Sequence, residues 1–261
     1  MNMKSLLKKA VSTLGYTLVK TDFLREMNRK NHAGAEGVSE EKNDLIANVF
    51  SILKTAGFAP KHILDIGANR GTWSREVKKI FTDARFTLVE PQSNLKSYFD
   101  DLLKSDTFVY LPIGVGEKPG HFSFTIAERD DSSTFGMSPE EAQSKGLTQV
   151  QVEVNTIDNI VMDSKFGVPD LIKIDAEGLD LEVLRGAKSI FGKTEVILVE
   201  ASVVNTVFKN DVLAVVAFMR ENGYSLFEIT DLNRPFEKRV LWLVELLFVR
   251  ANGPISKIDW V

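Results

Sequence analysis

The chain has 261 residues, 44% of them hydrophobic and 26% charged, the balance of a globular protein with a sizeable core, which excludes collagen-like, coiled-coil and wholly disordered classes. Thirty-two Lys and Arg against 36 Asp and Glu give a formal net charge of -4, so no overall basic footprint points to nucleic acid. The absence of cysteine removes disulfides, thiolate nucleophiles and Cys-ligated zinc or iron-sulfur centres, and fits a reducing compartment.

At the start, Leu6, Leu7, Ala10, Val11 and Leu14 recur at helical spacing beside Lys4, Lys8 and Lys9, which predicts a short basic amphipathic helix. Such a helix is either an arm packed on the domain or on a second copy in a homo-oligomer, or a loose contact with an anionic membrane surface. No apolar run approaches the roughly 20 residues of a membrane span, and the first residues lack the apolar core and cleavage site of a signal peptide. The expected location is the cytoplasm, with peripheral contact at the inner face of the membrane left open. Residues 1–38 therefore read as arm and linker, and 39–261 as the folded domain, opening on a helix with Leu45, Ile46, Val49, Phe50 and Leu53.

From Ile63 short apolar runs alternate with helical stretches, which predicts an α/β fold with a mostly parallel sheet and helices on both faces. The expected strands are Ile63 to Ile66, Phe86 to Glu90, Thr107 to Ile113, Leu171 to Asp175 and Val196 to Glu200. Helices are expected at Thr72 to Phe81, Gln92 to Lys104 and Asp180 to Phe191. The repeat breaks after Gly114, where Gly120 to Ala127 and Gln149 to Thr156 read as an inserted hairpin. A helix over Val212 to Asn222 then precedes Ser225 to Ile229 and Val244 to Arg250, read as an antiparallel closing pair.

The run from His62 to Ser74 is a buried strand entering a turn with Gly67, Ala68, Asn69 and Gly71, then a helix. Glycine at 67 and 71 removes Cβ atoms that would block a ligand over the turn, and a helix N-terminus offers free N-H groups to an anion. The spacing G-x-x-x-G lacks the middle glycine of the dinucleotide fingerprint, which disfavours nicotinamide cofactors. For S-adenosylmethionine the anion would be the methionine carboxylate, and Asp65 would meet the ammonium directly or through water. Glu90, ending the second strand about twenty residues on, is placed to accept both ribose hydroxyls. Ile113, Gly114 and Val115 would form an apolar slot beside the adenine.

A third stretch, Asp170 to Ala187, delivers Lys173, Asp175 and Glu177 to the carboxyl end of an apolar strand, where ligands bind in open α/β sheets. Lys173 and Asp175 share one face, so an ion pair between them is one reading. The other places Asp175, Glu177 or both beside the reacting methyl. Glu200 reaches the same rim, and three converging carboxylates would suit a divalent cation such as Mg²⁺, although a general base with substrate-binding acids is simpler. His32, His62 and His121 read as non-catalytic. Trp73 is singled out because it follows the glycine turn.

Together, Asp65-Ile-Gly-Ala-Asn-Arg-Gly71, Val89-Glu-Pro91, Leu171-Ile-Lys-Ile-Asp-Ala-Glu-Gly178 and Leu184-Arg-Gly-Ala187 resemble the FkbM methyltransferase family. The resemblance runs from about Ile63 to Ala201. It implies a class I SAM-methyltransferase (Rossmann-like) three-layer sandwich and O-methylation of hydroxyls on sugars or secondary metabolites. By resemblance, Asp65, Gly67, Asn69, Gly71 and Glu90 fall in the S-adenosylmethionine site, and Lys173, Asp175, Glu177 and Gly178 in the active-site block. A saccharide, glycan precursor or small-molecule acceptor is expected, with Asp175 or Glu177 as base and Lys173 orienting or tuning it. The rivals are a non-catalytic S-adenosylmethionine-binding protein, an RNA methyltransferase and a nicotinamide oxidoreductase. The arm and the insertion from Glu128 to Gln149 are expected to shape the acceptor pocket.

Overall fold

The computed structural model describes residues 42–127, 133–204, 210–234 and 240–260. The expected amphipathic arm, His32 and the tip of the insertion at 128–132 lie outside them.

Seven strands form one sheet in the order β3-β2-β1-β7-β8-β10-β9. They are β1 (His62–Ile66), β2 (Arg85–Val89), β3 (Phe108–Leu111), β7 (Leu171–Ile174), β8 (Val196–Ser202), β9 (Tyr224–Asn233) and β10 (Leu243–Arg250). All neighbours are parallel except β10, which runs antiparallel to both β8 and β9. Strands β1 and β7 are buried along their whole length, which is why they read as continuous apolar runs rather than as alternation.

Helices cover both faces. Leu64, Ile66, Ile172, Ile174, Ile197 and Val199 pack with α5 (Asp180–Arg185) and α6 (Val212–Glu221). The alternate residues Ile63, Leu171 and Leu198 pack with Val49, Phe50 and Leu53 of α1 (Lys42–Thr55) and Val77 of α2 (Thr72–Ile80). The result is the doubly wound three-layer sandwich with an antiparallel closing strand expected from the sequence. Because the chain steps outward from β1 to β3 and then returns to β7 on the other side of β1, a crevice opens at the carboxyl ends of β1 and β7.

The insertion is a second, three-stranded sheet in the order β4-β6-β5, with β4 (Gly114–Val115), β5 (Gly120–Ile126) and β6 (Thr148–Asn155). The β5–β6 pair is the expected antiparallel hairpin. Two short helices were not anticipated. In α3 (Pro139–Ser144) the Ser138 side chain accepts from Glu141 N with proline in the first turn; in α4 (Ile157–Met162) Thr156 accepts from Asn159 N. Ser-Pro-Glu-Glu is an N-cap signal in its own right.

Two expected helices are corrected. Gln92 to Lys104 forms two 3-10 segments, Ser93–Phe99 and Leu102–Lys104, in a run whose Ser, Asn and Asp residues are weak helix formers. The helix from Asp180 ends at Arg185, not Phe191: a Cβ on Gly186 would overlap the Gly116 carbonyl oxygen, so glycine is set where the insertion docks. Strand β9 is twice as long as expected, with register irregularities opposite Glu245/Leu246 and Leu247/Phe248. Among the described residues no helix is long and apolar enough to cross a membrane.

Candidate active site

The crevice is built from two turns locked backbone to backbone. Gly67 N and Ala68 N both donate to the Val89 carbonyl at 3.0 Å, and Asp175 N donates to Ile66 O at 3.2 Å. Gly67 has φ 73°, and a Cβ there would overlap the Asp175 carbonyl oxygen. The demand for glycine thus comes from the turn after β7, not only from a ligand. Asn69 continues the left-handed path at φ 47°, and its N-H donates to Glu90 Oε2 at 2.9 Å. Gly71 is the N-cap residue of α2.

One cleft of about 600 Å³ runs along the ends of β1 and β2. Glu90, only 3% exposed, stands on its wall, and its other oxygen accepts from Gln92 N at 2.9 Å and Gln92 Nε2 at 3.2 Å. Burial pushes the Glu90 carboxyl above its ordinary value, and the bonds from Gln92 and Asn69 only partly oppose it. A carboxylate is an acceptor-only group with further lone pairs, so Glu90 fits a pair of ribose hydroxyls. Ile113, Gly114, Val115 and Phe124 supply an apolar end to the same cleft, suited to a flat heterocycle. These features fit the adenosine half of S-adenosylmethionine.

A second cleft, about 1250 Å³, lies on the α1/α2 face. Its floor carries Lys173 and Asp175 and a cross-strand row formed by Glu200, Glu245 and Asp231, with Glu245 paired in register to each of the other two. Trp73 from α2 lines it, with Lys173 Nζ 6.0 Å from its ring centre. Gly67, Asn69 and Asp175 line both clefts.

Lys173 holds the floor together. Its Nζ donates to Gly67 O and to Asp175 Oδ2, both at 3.1 Å, and lies 3.5 Å from Asp65 Oδ1. Burial alone would lower this ammonium, but the carboxylates of Asp175, Asp65 and Glu245 outweigh it and hold it well above its ordinary value. Lys173 is therefore a fixed cation and cannot serve as a base. Asp65 is fully buried, accepts from Ser74 Oγ at 2.6 Å and lines neither cleft. Burial raises its carboxyl, opposed by Lys173 and Ser74.

The structure therefore divides the expected site. Glu90, Gly114 and Glu177 line the first cleft, Ala68 and Lys173 the second, and Gly67, Asn69 and Asp175 both. Gly71 lies behind, at the start of α2. Asp175, Glu177 and Glu200 do not converge, since Glu177 and Glu200 line different clefts. The divalent cation considered for them finds no support: among the described residues no group of three or more metal-ligating side chains is arranged to hold one. His62 is buried between Gly167 O and Thr87 Oγ1 at the amino end of β1, and burial lowers it; His121 is exposed on β5.

Several site residues carried no sequence signal. Gln92, Ser133, Thr134 and Phe135 line the first cleft, so part of the insertion expected to shape the acceptor pocket walls the same cleft as Glu90. Asp180, at the start of α5, is fully buried; it accepts from Ala176 N at 2.9 Å and from Asn210 Nδ2 at 2.6 Å. It anchors the turn that carries Asp175 and Glu177.

Among solved structures, the cofactor-bound Rv0187 from MTB is similar at 13% identity, with 94% of this chain and 98% of that one covered and a TM-score of 0.49. Precorrin-6y C5,15-methyltransferase from Geobacter metallireducens GS-15 is similar at 14% identity, 82% and 92% coverage and a TM-score of 0.43. The N-methyltransferase NodS from Bradyrhizobium japonicum WM9 follows at 11% identity, 78% and 93% coverage and a TM-score of 0.44. No curated protein matches the sequence. The methyltransferase FkbM domain matches residues 65–226, more than half of the chain, from Asp65 beside the glycine turn to Leu226 in β9. The chain belongs to the FkbM methyltransferase family, and its sheet is that of an S-adenosylmethionine-dependent methyltransferase.

Proposed function

We propose that the protein is an S-adenosylmethionine-dependent O-methyltransferase acting on a hydroxyl of a saccharide, glycan precursor or similar small polyol. The observation that carries this reading is the junction of the two clefts at Gly67, Asn69 and Asp175. The adenosine half fits the first cleft, an acceptor fits the second, and the shared wall is where the reacting groups would meet. When bound, the cofactor supplies a methyl group on a positively charged sulfur.

The chain's own residues then have two tasks. The first is alignment: a displacement is accelerated chiefly by holding nucleophile and methyl carbon in line. Glu90 fixes the ribose, while Trp73 offers an aromatic face and Glu200, Asp231 and Glu245 offer hydrogen-bond acceptors to a polyhydroxylated acceptor. The second is removal of the hydroxyl proton, for which a base must lie within hydrogen-bond reach. Asp175 suits that role, because its side chain is 34% exposed at the junction. Lys173 acts on Asp175 as a positioning cation. Glu177 faces the adenosine cleft and is the secondary candidate.

Calorimetric titration with S-adenosylhomocysteine tests the first half. We expect binding near micromolar strength, about -8 kcal/mol, weakened at least tenfold in Glu90→Ala, and none with NAD. Absence of binding by the folded wild-type protein would reject the reading. A screen of sugar and polyol acceptors with radiolabelled cofactor tests the second half; methyl transfer only to amines would reject O-specificity.

A further inference from the structure

Phe135 stands at the apolar end of the first cleft, together with Ile113 and Val115. Its position is prepared by the residues around it. A Cβ on Gly114 would sit 2.5 Å from Phe135 Cζ, so glycine lets the ring lie against the backbone. The Phe124 ring supports it from β5, with centroids 4.6 Å apart at 56°. Thr125 and Thr134 exchange two backbone hydrogen bonds, 2.9 and 3.1 Å, which return the loop to the hairpin.

The two preceding residues tie this loop to both ends of the cleft. Ser133, 4% exposed, donates to Gln92 Oε1 at 3.1 Å, and Gln92 in turn holds Glu90. Thr134 Oγ1 donates to the Glu177 carbonyl at 3.2 Å and accepts from Gly136 N at 3.0 Å. Glu177 has φ 49°, a left-handed conformation that is unfavourable for a residue with a Cβ and persists only where its surroundings hold it. Thr134 is one of the groups that hold it.

Resting on the methyltransferase reading, we propose that Ser133, Thr134 and Phe135 belong to the cofactor site. The Phe135 ring closes the slot that takes the adenine, and the Thr134 hydroxyl fixes the turn carrying Asp175 and Glu177. The inserted sheet is thereby part of cofactor recognition and links the base end of the cleft to the acid-bearing turn.

The test titrates S-adenosylhomocysteine and adenosine separately into the wild-type protein and into Phe135→Ala, Phe135→Leu and Phe122→Ala, with each variant's fold checked by circular dichroism. Phe122 is 47% exposed on β5 and serves as the control. Phe135→Ala is expected to weaken both ligands tenfold or more, and Phe122→Ala by less than twofold; Phe135→Leu, which keeps apolar bulk, is expected to fall between and stands in should the alanine variant not fold. Hydrogen exchange of the segment 175–179, with and without S-adenosylhomocysteine, reads the second part. The wild-type protein and Thr134→Ser are expected to gain protection on binding, and Thr134→Val to bind without gaining it. Unchanged affinity in both Phe135 variants, or a loss for S-adenosylhomocysteine with none for adenosine, overturns the adenine assignment. Full protection in Thr134→Val overturns the link to the turn. If the wild-type protein binds neither ligand, the methyltransferase reading itself falls; if it binds both and the variants match it, only this inference does.

Discussion

Lys173 illustrates how a single buried residue organises the site. Its side chain is 7% exposed and faces Asp65 at 0%, so truncating it would strand a carboxylate in the core. Breaking a buried pair in this way costs about 3–5 kcal/mol. Lys173→Met is therefore expected to lose at least about 3 kcal/mol in urea unfolding, with part recovered in the double variant carrying Asp65→Asn. An additive double variant would show that the two residues do not interact. At Asp175, Asp175→Asn keeps the shape and removes the base. It should lower turnover of the eventual acceptor by roughly 10²–10⁴-fold while leaving S-adenosylhomocysteine affinity nearly unchanged; wild-type turnover would move the base to Glu177. The acid at the strand end, Glu90, and the block from Lys173 to Glu177 were legible in the sequence because local order alone brings them to one edge of the sheet. What local order could not convey was that Asp175 lines both clefts and Glu177 only the first, on a turn in which Glu177 is left-handed.

At the scale of elements, the turn after β7 is held by the start of α5. Burial pushes the Asp180 carboxyl up to about 7, the Ala176 N-H opposes this and Asp175 reinforces it. In the folded protein Asp180 keeps its proton between 3.8 and about 7, where the unfolded chain has released it. Its contribution to stability is therefore greatest at low pH and declines as pH rises through that window, levelling above it. Asp180→Asn should remove this slope: measured by urea unfolding at pH 5 and pH 8, the wild-type protein should lose more stability than the variant. The reverse order would reject a buried, protonated carboxyl. The insertion docks through Gly186, where a side chain would meet the Gly116 carbonyl. Gly186→Ala is expected to cost about 1–3 kcal/mol, read as a lowered unfolding midpoint, whereas Thr156→Ala, which removes the α4 cap, should cost about 1 kcal/mol.

For the whole molecule, the two clefts and the doubly wound sheet make folding and ligand binding thermodynamically linked. Saturation with S-adenosylhomocysteine at one hundred times its dissociation constant should raise stability by about 2.7 kcal/mol, seen as a higher melting temperature that depends on ligand concentration. NAD at the same concentration should leave the melting temperature where it was. The sequence by itself determined the alternation of strands and helices, the antiparallel closing pair and the inserted hairpin, because burial on two faces, burial on one and helical spacing each leave a distinct periodicity. It determined the glycine turn and the acids at the strand ends for the same reason, since these signals span only a few neighbouring residues. Only the tertiary structure decided that Asp65 lies behind the clefts in a pair with Lys173, that Phe135 from the insertion walls the first cleft, and that Glu200 joins Glu245 and Asp231 in a cleft that Glu177 does not line. Those facts depend on strand register and on contacts between residues far apart in the chain, and neither composition nor spacing carries that information.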